Sequence, residues 1–231
     1  MIGLILLQVN QAANEAAATV EAEGISLDFW ELALKGGWIM IPLVLLSLIA
    51  LFIFGDRYFA IHRASRVDPN LMNQIRQHIQ DGKIDSALTL CKSTDKPVTR
   101  MIEKGILRIG RPLNDVSAAI DNVGNLEVTK LEKGLPLLAS VAGGAPMIGF
   151  LGTVMGMIQA FYDMANAGNN IDVTLLSSGI YQAMVTTVAG LIVGIVAYFA
   201  YNILVSRVEK VVFKMEATTT DFMDLLNEPA Q

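Results

Sequence analysis

Three segments of the chain are apolar over a length that can cross a lipid bilayer. They cover residues 37–55, 135–162 and 173–205, and they contain no Asp, Glu, Lys, Arg or His. A membrane-spanning helix needs about 20 apolar residues at about 1.5 Å of rise each. The second and third segments are longer than that, so they are expected to tilt or to project beyond the bilayer. The opening run MIGLILL is too short to count as a span. It is interpreted either as the remnant of a signal sequence or as a short contact with the membrane interface.

The positions between the first and second spans alternate with helical periodicity. Leu71, Ile75 and Ile79 form an apolar stripe on a helix over 70–80, and a second helix is predicted over 84–91. Pro97 is suited to the first turn of a third helix, because N–H groups in that turn have no partner within the helix and the proline therefore loses no hydrogen bond. A fourth helix, capped by Asn114 or Asp115, is expected to run without a break into the second span. The stretch after residue 205 keeps helical periodicity and continues the third span.

These patterns predict the fold class. The chain is expected to be an all-α integral membrane protein with three transmembrane helices, of which the second and third extend into a cytoplasmic helical domain. Thirteen of the 17 Lys and Arg residues lie between the first and second spans, and three more follow the third span. By the positive-inside rule, the N-terminus and the second connection then lie outside, and the large loop and the C-terminus lie inside.

Composition supports a membrane protein and excludes several other classes. The 231 residues are 53% hydrophobic and 17% charged, with a mean hydropathy of +0.48. The net charge of −5 gives no indication of a nucleic-acid partner. A single cysteine rules out an intrachain disulfide, and His62 and His78 are too far apart to suggest a helical metal site. We expect no cofactor and no metal, and no nucleophile–base set or phosphate loop indicates an enzyme.

Two small-residue motifs lie in the second and third spans. They are Gly152-x-x-x-Gly156, extended by Gly149, and Gly190-x-x-x-Gly194. In lipid, helices are held together by close backbone packing, and glycine permits the closest approach. These glycines are therefore predicted to form helix-packing faces. The contact is either between copies of the chain or within one chain, and an assembly of copies is favoured because three helices alone bury little surface.

Polar side chains are placed on the same helical sides as the glycines. Thr153 lies with Gly149 and Gly156, and Thr187 lies with Gly190 and Gly194. Each hydroxyl either bonds a carbonyl of its own helix or lines a polar seam near mid-membrane. Gln182 and Thr186 add polar groups to this candidate pore-lining set. An ionisable side chain within a span is the usual mark of a proton path. The spans hold no Asp, Glu, Lys, Arg or His, so a carrier would have to come from another chain.

Two stretches resemble a known family. GGAPMIGFLGTVMGMIQAF, residues 143–161, resembles the second-span signature of the ExbB/TolQ/MotA proton-channel family. GIYQAMVTTVAGLIVGIVAYFAYN, residues 179–202, is similar to the third-span signature of ExbB and TolQ. The resemblance covers about residues 30–215. The chain has three predicted spans rather than the four of MotA. Its N-terminal tail before the first span is more like that of ExbB than that of TolQ.

The resemblance implies an assembly and a set of partners. ExbB-like chains form a homopentamer whose second and third spans surround helices of an ExbD-like single-span protein with a transmembrane Asp. A TonB-like protein and membrane lipids are the other expected partners. By motif, Thr153 and Thr187 match the pore-facing threonines. Gln182 stands where the family signature has glutamate. The identity of the transported ion, H⁺ or Na⁺, is therefore left open.

The resemblance also implies a function and a location. The chain is expected to be an ExbB-like subunit of a motor in the bacterial inner membrane, coupling the proton-motive force to TonB-dependent transport across the outer membrane. A TolQ-like role in outer-membrane integrity, another motility or stator complex, and a passive scaffold are the alternatives. The predicted organisation is a periplasmic tail (1–36), a first span (37–55), a cytoplasmic domain (56–134), a second span (135–162), a periplasmic connection (163–172), a third span (173–205) and a cytoplasmic C-terminal helix (206–231).

Overall fold

A computed structural model describes residues 36–66, 70–166 and 173–227, and it is helical almost throughout. The all-α prediction is confirmed, and three of the helical segments are long and apolar enough to cross a membrane. Most of the predicted tail and most of the predicted connection at 163–172 lie outside the described residues. In chain order the helices are α1 (Met40–Ser65), α2 (Leu71–Gln80), α3 (Ile84–Thr94), α4 (Pro97–Ile106), α5 (Leu113–Glu132), α6 (Leu135–Asn166) and α7 (Val173–Asn227).

The longest helix is α7, which runs for 55 residues without interruption. At 1.5 Å per residue it is about 80 Å long, against about 30 Å for the hydrocarbon core of a bilayer. Its apolar first half and its charged second half therefore lie in different environments. This confirms the prediction that the C-terminal stretch continues the third span as one helix.

The expected continuous helix from the fourth amphipathic segment into the second span is wrong. α5 ends at Glu132, and Lys133 and Gly134 form a turn before α6 begins at Leu135. Gly134 has a φ of +86°, a conformation that favours glycine because it has no Cβ. Pro136 reinforces the break, since it has no N–H to donate to the Glu132 carbonyl and is tolerated only in the first turn of the new helix.

The start of α5 also differs from the prediction. Its N-cap residue is Pro112, which makes no side-chain cap, and the helix begins at Leu113. The expected cap, Asn114 or Asp115, therefore lies inside the first turn. There the Asp115 N–H donates to the Pro112 carbonyl at 2.9 Å. A carboxylate in that turn still interacts favourably with the positive end of the helix dipole.

Helices α2, α4 and α5 pack against the second half of α7, and α3 packs against α2 and α4. Together they form what we call the extramembrane domain. Its core includes Ile75, Ile102, Ile120 and Phe222, each at most 1% exposed. The predicted stripe on α2 is confirmed, with Leu71 and Ile75 buried and Ile79 half-buried. α4 begins at Pro97 as predicted.

A buried carboxylate joins the helices of this domain. Glu127 of α5 is 4% exposed and accepts hydrogen bonds from Arg100 of α4 at 2.9 Å and from Lys130 at 2.6 Å. Arg100 also pairs with Asp95 at 2.8 Å, and this hydrogen bond is the largest of the effects that raise the pKa of its guanidinium. Arg57, in the second half of α1, donates to the Lys130 carbonyl at 3.1 Å. The network therefore links the turn before α4, α4, α5 and α1.

Candidate functional site

The most extensive helix contact in the chain is between α6 and α7, and glycines determine how close these helices come. A Cβ placed on Gly190 would lie 2.6 Å from the Ala145 carbonyl oxygen and 2.8 Å from the Gly149 Cα. A Cβ on Gly156 would lie 2.8 Å from the Ala183 Cβ. Because those distances are shorter than real contacts, only glycine fits at these positions without a shift of the helices.

All five glycines singled out in the sequence take part in this one contact. Gly152 faces Thr186, and a Cβ on Gly194 would meet the ring of Pro146 at 2.5 Å. The contact is within one chain, which is the alternative that the sequence left open. In contrast, a Cβ on Gly143 or Gly144 would meet nothing within 4 Å. The five motif glycines therefore fit α6 to α7, and their close contacts are already made within one chain.

The threonines in this region differ in what their hydroxyls bond. Thr187, which is half-buried, donates to the Gly149 carbonyl on α6 at 2.9 Å. Thr186 is 2% exposed and donates to the Ala183 carbonyl of its own helix at 2.7 Å. Thr153 also bonds within its own helix, to the Phe150 carbonyl at 2.6 Å. Of these three hydroxyls, only the Thr187 hydroxyl makes a bond between helices.

A polar cavity of about 260 Å³ opens between the start of the described chain, α6 and α7. Two of the four predicted pore-lining residues, Gln182 and Thr186, lie in its wall, whereas Thr153 and Thr187 do not. Gln182 also lies against Gly37, where a Cβ would overlap its amide. The structure thus divides the predicted set into Gln182 and Thr186 at the cavity, Thr187 at the helix contact and Thr153 beside it.

One charged residue of this cavity was missed by the sequence reasoning. Asp163 lies one residue beyond the predicted end of the second span, but α6 continues to Asn166 and places its carboxylate in the cavity wall. Gln159, one turn earlier, donates to this carboxylate at 2.9 Å. The spacing of four residues between a Gln and an Asp was the signal that could have revealed the pair.

The hydroxyls and amides of this arrangement offer hydrogen bonds to whatever lies beside them. Hydroxyls and amides donate and accept hydrogen bonds, but they hold no net charge near neutral pH. Among residues 36–66, 70–166 and 173–227, no group of three His, Cys, Asp or Glu side chains is arranged to hold a metal ion. The region can position a charged group supplied by another molecule and can order water beside it.

Comparison with known proteins identifies similar chains. Residues 93–217, from the end of α3 into the second half of α7, match the MotA/TolQ/ExbB proton channel family. A putative biopolymer transport protein ExbB homolog of Methanothermobacter thermautotrophicus is 29% identical over 70% of this chain and 57% of its own length. The chain thus spans just over half of that relative.

Two further relatives extend the comparison. A putative biopolymer transport protein ExbB-like 1 of Synechocystis is 28% identical over 75% of this chain and 69% of its own length. The Tol-Pal system protein TolQ of Haemophilus influenzae is 29% identical over 68% of this chain and 66% of its own length. Both names that the sequence motifs suggested are therefore present among the relatives.

Proposed function

The chain belongs to the MotA/TolQ/ExbB proton channel family, and we propose that it is the ExbB-like subunit of a motor in the bacterial inner membrane. In this role it couples the proton-motive force to TonB-dependent transport across the outer membrane. The observation that supports the proposal is the α6–α7 helix pair. The two helices pack closely at their glycines, and the Thr187 hydroxyl donates a hydrogen bond from one helix to the other. The apolar segments 135–162 and 173–205, which this pair contains, hold no Asp, Glu, Lys, Arg or His.

The absence of a charge in the spans defines what the partner must supply. A proton that crosses about 30 Å of hydrocarbon needs an ionisable relay or a continuous water path. In the proposed complex, five copies surround two helices of an ExbD-like partner, whose aspartate carries the proton. Thr153 and Thr187 face that aspartate. Their hydroxyls donate to the Phe150 and Gly149 carbonyls, so they can accept a hydrogen bond from the protonated carboxyl, and each would have to release its carbonyl to donate to the charged form.

The polar cavity supplies an access route in this scheme. Gln182 and Thr186 line it, and the Asp163 carboxylate attracts cations to its end. Gln182 stands where the family signature has glutamate, so the route has a neutral amide at that position. The distribution of basic residues supports an orientation with the cavity on the periplasmic side and the extramembrane domain in the cytoplasm.

A TolQ-like role is the second candidate, and the similarity to the H. influenzae TolQ protein favours it to a comparable degree. The two roles differ in phenotype. Loss of an ExbB-like chain stops energy-dependent uptake through outer-membrane receptors. Loss of a TolQ-like chain makes the outer membrane permeable to detergents.

Proton flux into liposomes tests the proposal. The purified chain is reconstituted alone, with an ExbD-like partner, and with the same partner carrying Asp→Asn in its span. Flux is expected only with the intact partner, and native mass measurement is expected to give a homopentamer. Robust flux from the chain alone would contradict the proposed origin of the carrier.

A further inference from the structure

A long apolar groove lies between α1 and α7, further along α7 than the predicted pore-lining residues Gln182, Thr186 and Thr187. Its volume is about 430 Å³, and of its lining residues only Ser47 is polar. Ala50 and Ala197 are buried beneath it, at 7% and 1% exposed, and their small side chains create the depression. Larger side chains form its walls: Leu51 and Phe54 on α1, and Ile192, Val196, Phe199 and Ile203 on α7.

The groove has the length of one membrane leaflet. From Ile192 to Ile203 it follows α7 for about 16 Å at 1.5 Å per residue. Half of the hydrocarbon core of a bilayer is about 15 Å thick. Both walls belong to segments that are apolar enough to span a membrane. A lipid acyl chain lying parallel to the helices would therefore fill the groove from mid-membrane to its surface.

One end of the groove continues to a fixed arginine. Tyr58 and Arg207 each lie four residues beyond a wall residue, Phe54 and Ile203, and so on the same helix faces. The Arg207 guanidinium lies 4.3 Å from the centre of the Tyr58 ring and donates to the Tyr58 hydroxyl at 3.2 Å. The stacking and the hydrogen bond hold the guanidinium at the groove end, where a headgroup would lie.

Positive charge predominates just beyond that end. An open surface depression between α1 and α7 is lined by Lys210 and Lys214, with Glu209 as its one acidic residue. Lys214 donates to the Ser65 carbonyl at 3.3 Å. An arginine fork matches a phosphate group in shape and charge, so this end favours an anionic headgroup over a neutral one.

We propose that this groove binds an anionic phospholipid, with one acyl chain between α1 and α7 and its phosphate on Arg207. The length of the groove matches one leaflet, and the charged end coincides with the leaflet surface. Neither match is required of a groove that packs against a protein helix. The bound lipid would fasten α1 to the α6–α7 pair at a position further along α7 than Gln182 and Thr186.

Fluorescence quenching by brominated lipids tests the proposal on the full chain. The reporter is Phe199→Trp, in a chain with Trp30→Phe and Trp38→Phe, reconstituted in phosphatidylcholine vesicles. A minor fraction of brominated phosphatidylglycerol or of brominated phosphatidylcholine is added. Phosphatidylglycerol is expected to quench at lower mole fraction, with a preference of roughly fivefold for one arginine contact.

Matched variants separate the headgroup from the acyl chain. Arg207→Gln should abolish the preference but leave quenching by both lipids, Arg207→Lys should keep part of it, and Arg111→Gln should keep all of it. Phe52→Trp, an exposed position of α1 outside the groove, should be quenched equally by both lipids. Equal quenching at Phe199→Trp would overturn the headgroup contact. No quenching by either lipid would show that another copy or a partner helix covers the groove.

Discussion

The hydroxyl of Thr187 lies 2.9 Å from the backbone carbonyl oxygen of Gly149 and donates a hydrogen bond to it between helices. The two residues depend on each other, because a Cβ on Gly149 would lie 3.2 Å from the Thr187 Cα. Gly149 lets the two helices come close together, and Thr187 donates its hydrogen bond to the Gly149 carbonyl that this brings within reach. A motif for helix packing and a candidate pore residue are thus parts of one contact.

Replacing Thr187 by valine removes this hydrogen bond and keeps the shape of the side chain. Interhelical hydrogen bonds in membranes are worth about 0.6–2 kcal/mol, so we expect the chain to fold and assemble with a small loss of thermal stability. Flux with the partner should fall strongly, if the hydroxyl also serves the proton path. Thr187→Ser, which keeps the hydroxyl, is the control.

Thr153→Val separates the structural role from the functional one. The Thr153 hydroxyl bonds only within its own helix, so its loss should leave stability unchanged and should lower flux. Full flux in the double valine variant would exclude both hydroxyls from the path. Flux lost equally in Thr187→Ser would assign the effect to packing.

Gly190→Ala should disrupt the α6–α7 pair. The new methyl group would lie 2.6 Å from the Ala145 carbonyl oxygen and would meet backbone, which cannot rotate away. We expect a loss of stability of about 1–3 kcal/mol, as for other overpacked sites, measured as a lower melting temperature. Gly143→Ala is the matched control on α6, because a Cβ there meets nothing within 4 Å. Equal melting temperatures for the two variants would contradict the assignment.

The sequence predicted those elements whose signals are local. Apolar length identified the three spans, and the start of α4 at Pro97 followed from the position of the proline. The break at Gly134 was missed, because a lone glycine in a helical pattern is usually tolerated. Its effect here comes from its combination with Pro136, two residues later.

The candidate site was harder to predict, because its members are joined by helix crossing and not by spacing. Periodicity placed Thr187 on the same face as Gly190, but it could not show that the hydroxyl reaches Gly149, 38 positions away. It also could not choose between contacts within a chain and contacts between chains. Asp163 was missed because the span was ended by hydropathy, whereas the helix continues to Asn166.

Glu127→Gln should destabilise the extramembrane domain. The carboxylate is 4% exposed and accepts from both Arg100 and Lys130. Hydrogen bonds to charged groups contribute about 1.5–3 kcal/mol, and the neutral amide would lose most of that while presenting an N–H₂ group to a cation. Glu132→Gln, exposed on the same helix, is the control and should change stability by less than about 0.5 kcal/mol. Equal shifts in melting temperature for the two variants would show that the Glu127 network does not stabilise the domain.

Cys91 makes stability depend on alkaline pH. Burial, and to a lesser extent the negative charge of Glu103, raises the pKa of this thiol from 9.0 to about 11. The unfolded chain loses this proton at lower pH than the folded chain, so the contribution is complete below pH 9.0 and is lost as the pH rises toward about 11. The melting temperature of the parent should therefore fall more over this window than that of Cys91→Ala. Parallel curves would contradict the shift.

The proposed orientation is tested by cysteine accessibility. Native Cys91 is a poor reporter, because it is 1% exposed and its raised pKa keeps it a thiol. We therefore place single cysteines in a Cys91→Ser background. Gly168→Cys lies in the connection after α6, outside the described residues, and Ser93→Cys is exposed near the end of α3.

The charge distribution decides which of the two should react first. Thirteen of the 17 Lys and Arg residues lie between the first and second spans, and the connection at 163–172 has none. By the positive-inside rule, a membrane-impermeant thiol reagent should label Gly168→Cys in cells whose outer membrane alone is permeabilised. Ser93→Cys should react only after the inner membrane is opened. The opposite order would reverse the orientation and would place the polar cavity, with Asp163, on the cytoplasmic side, where it could not admit protons driven inward.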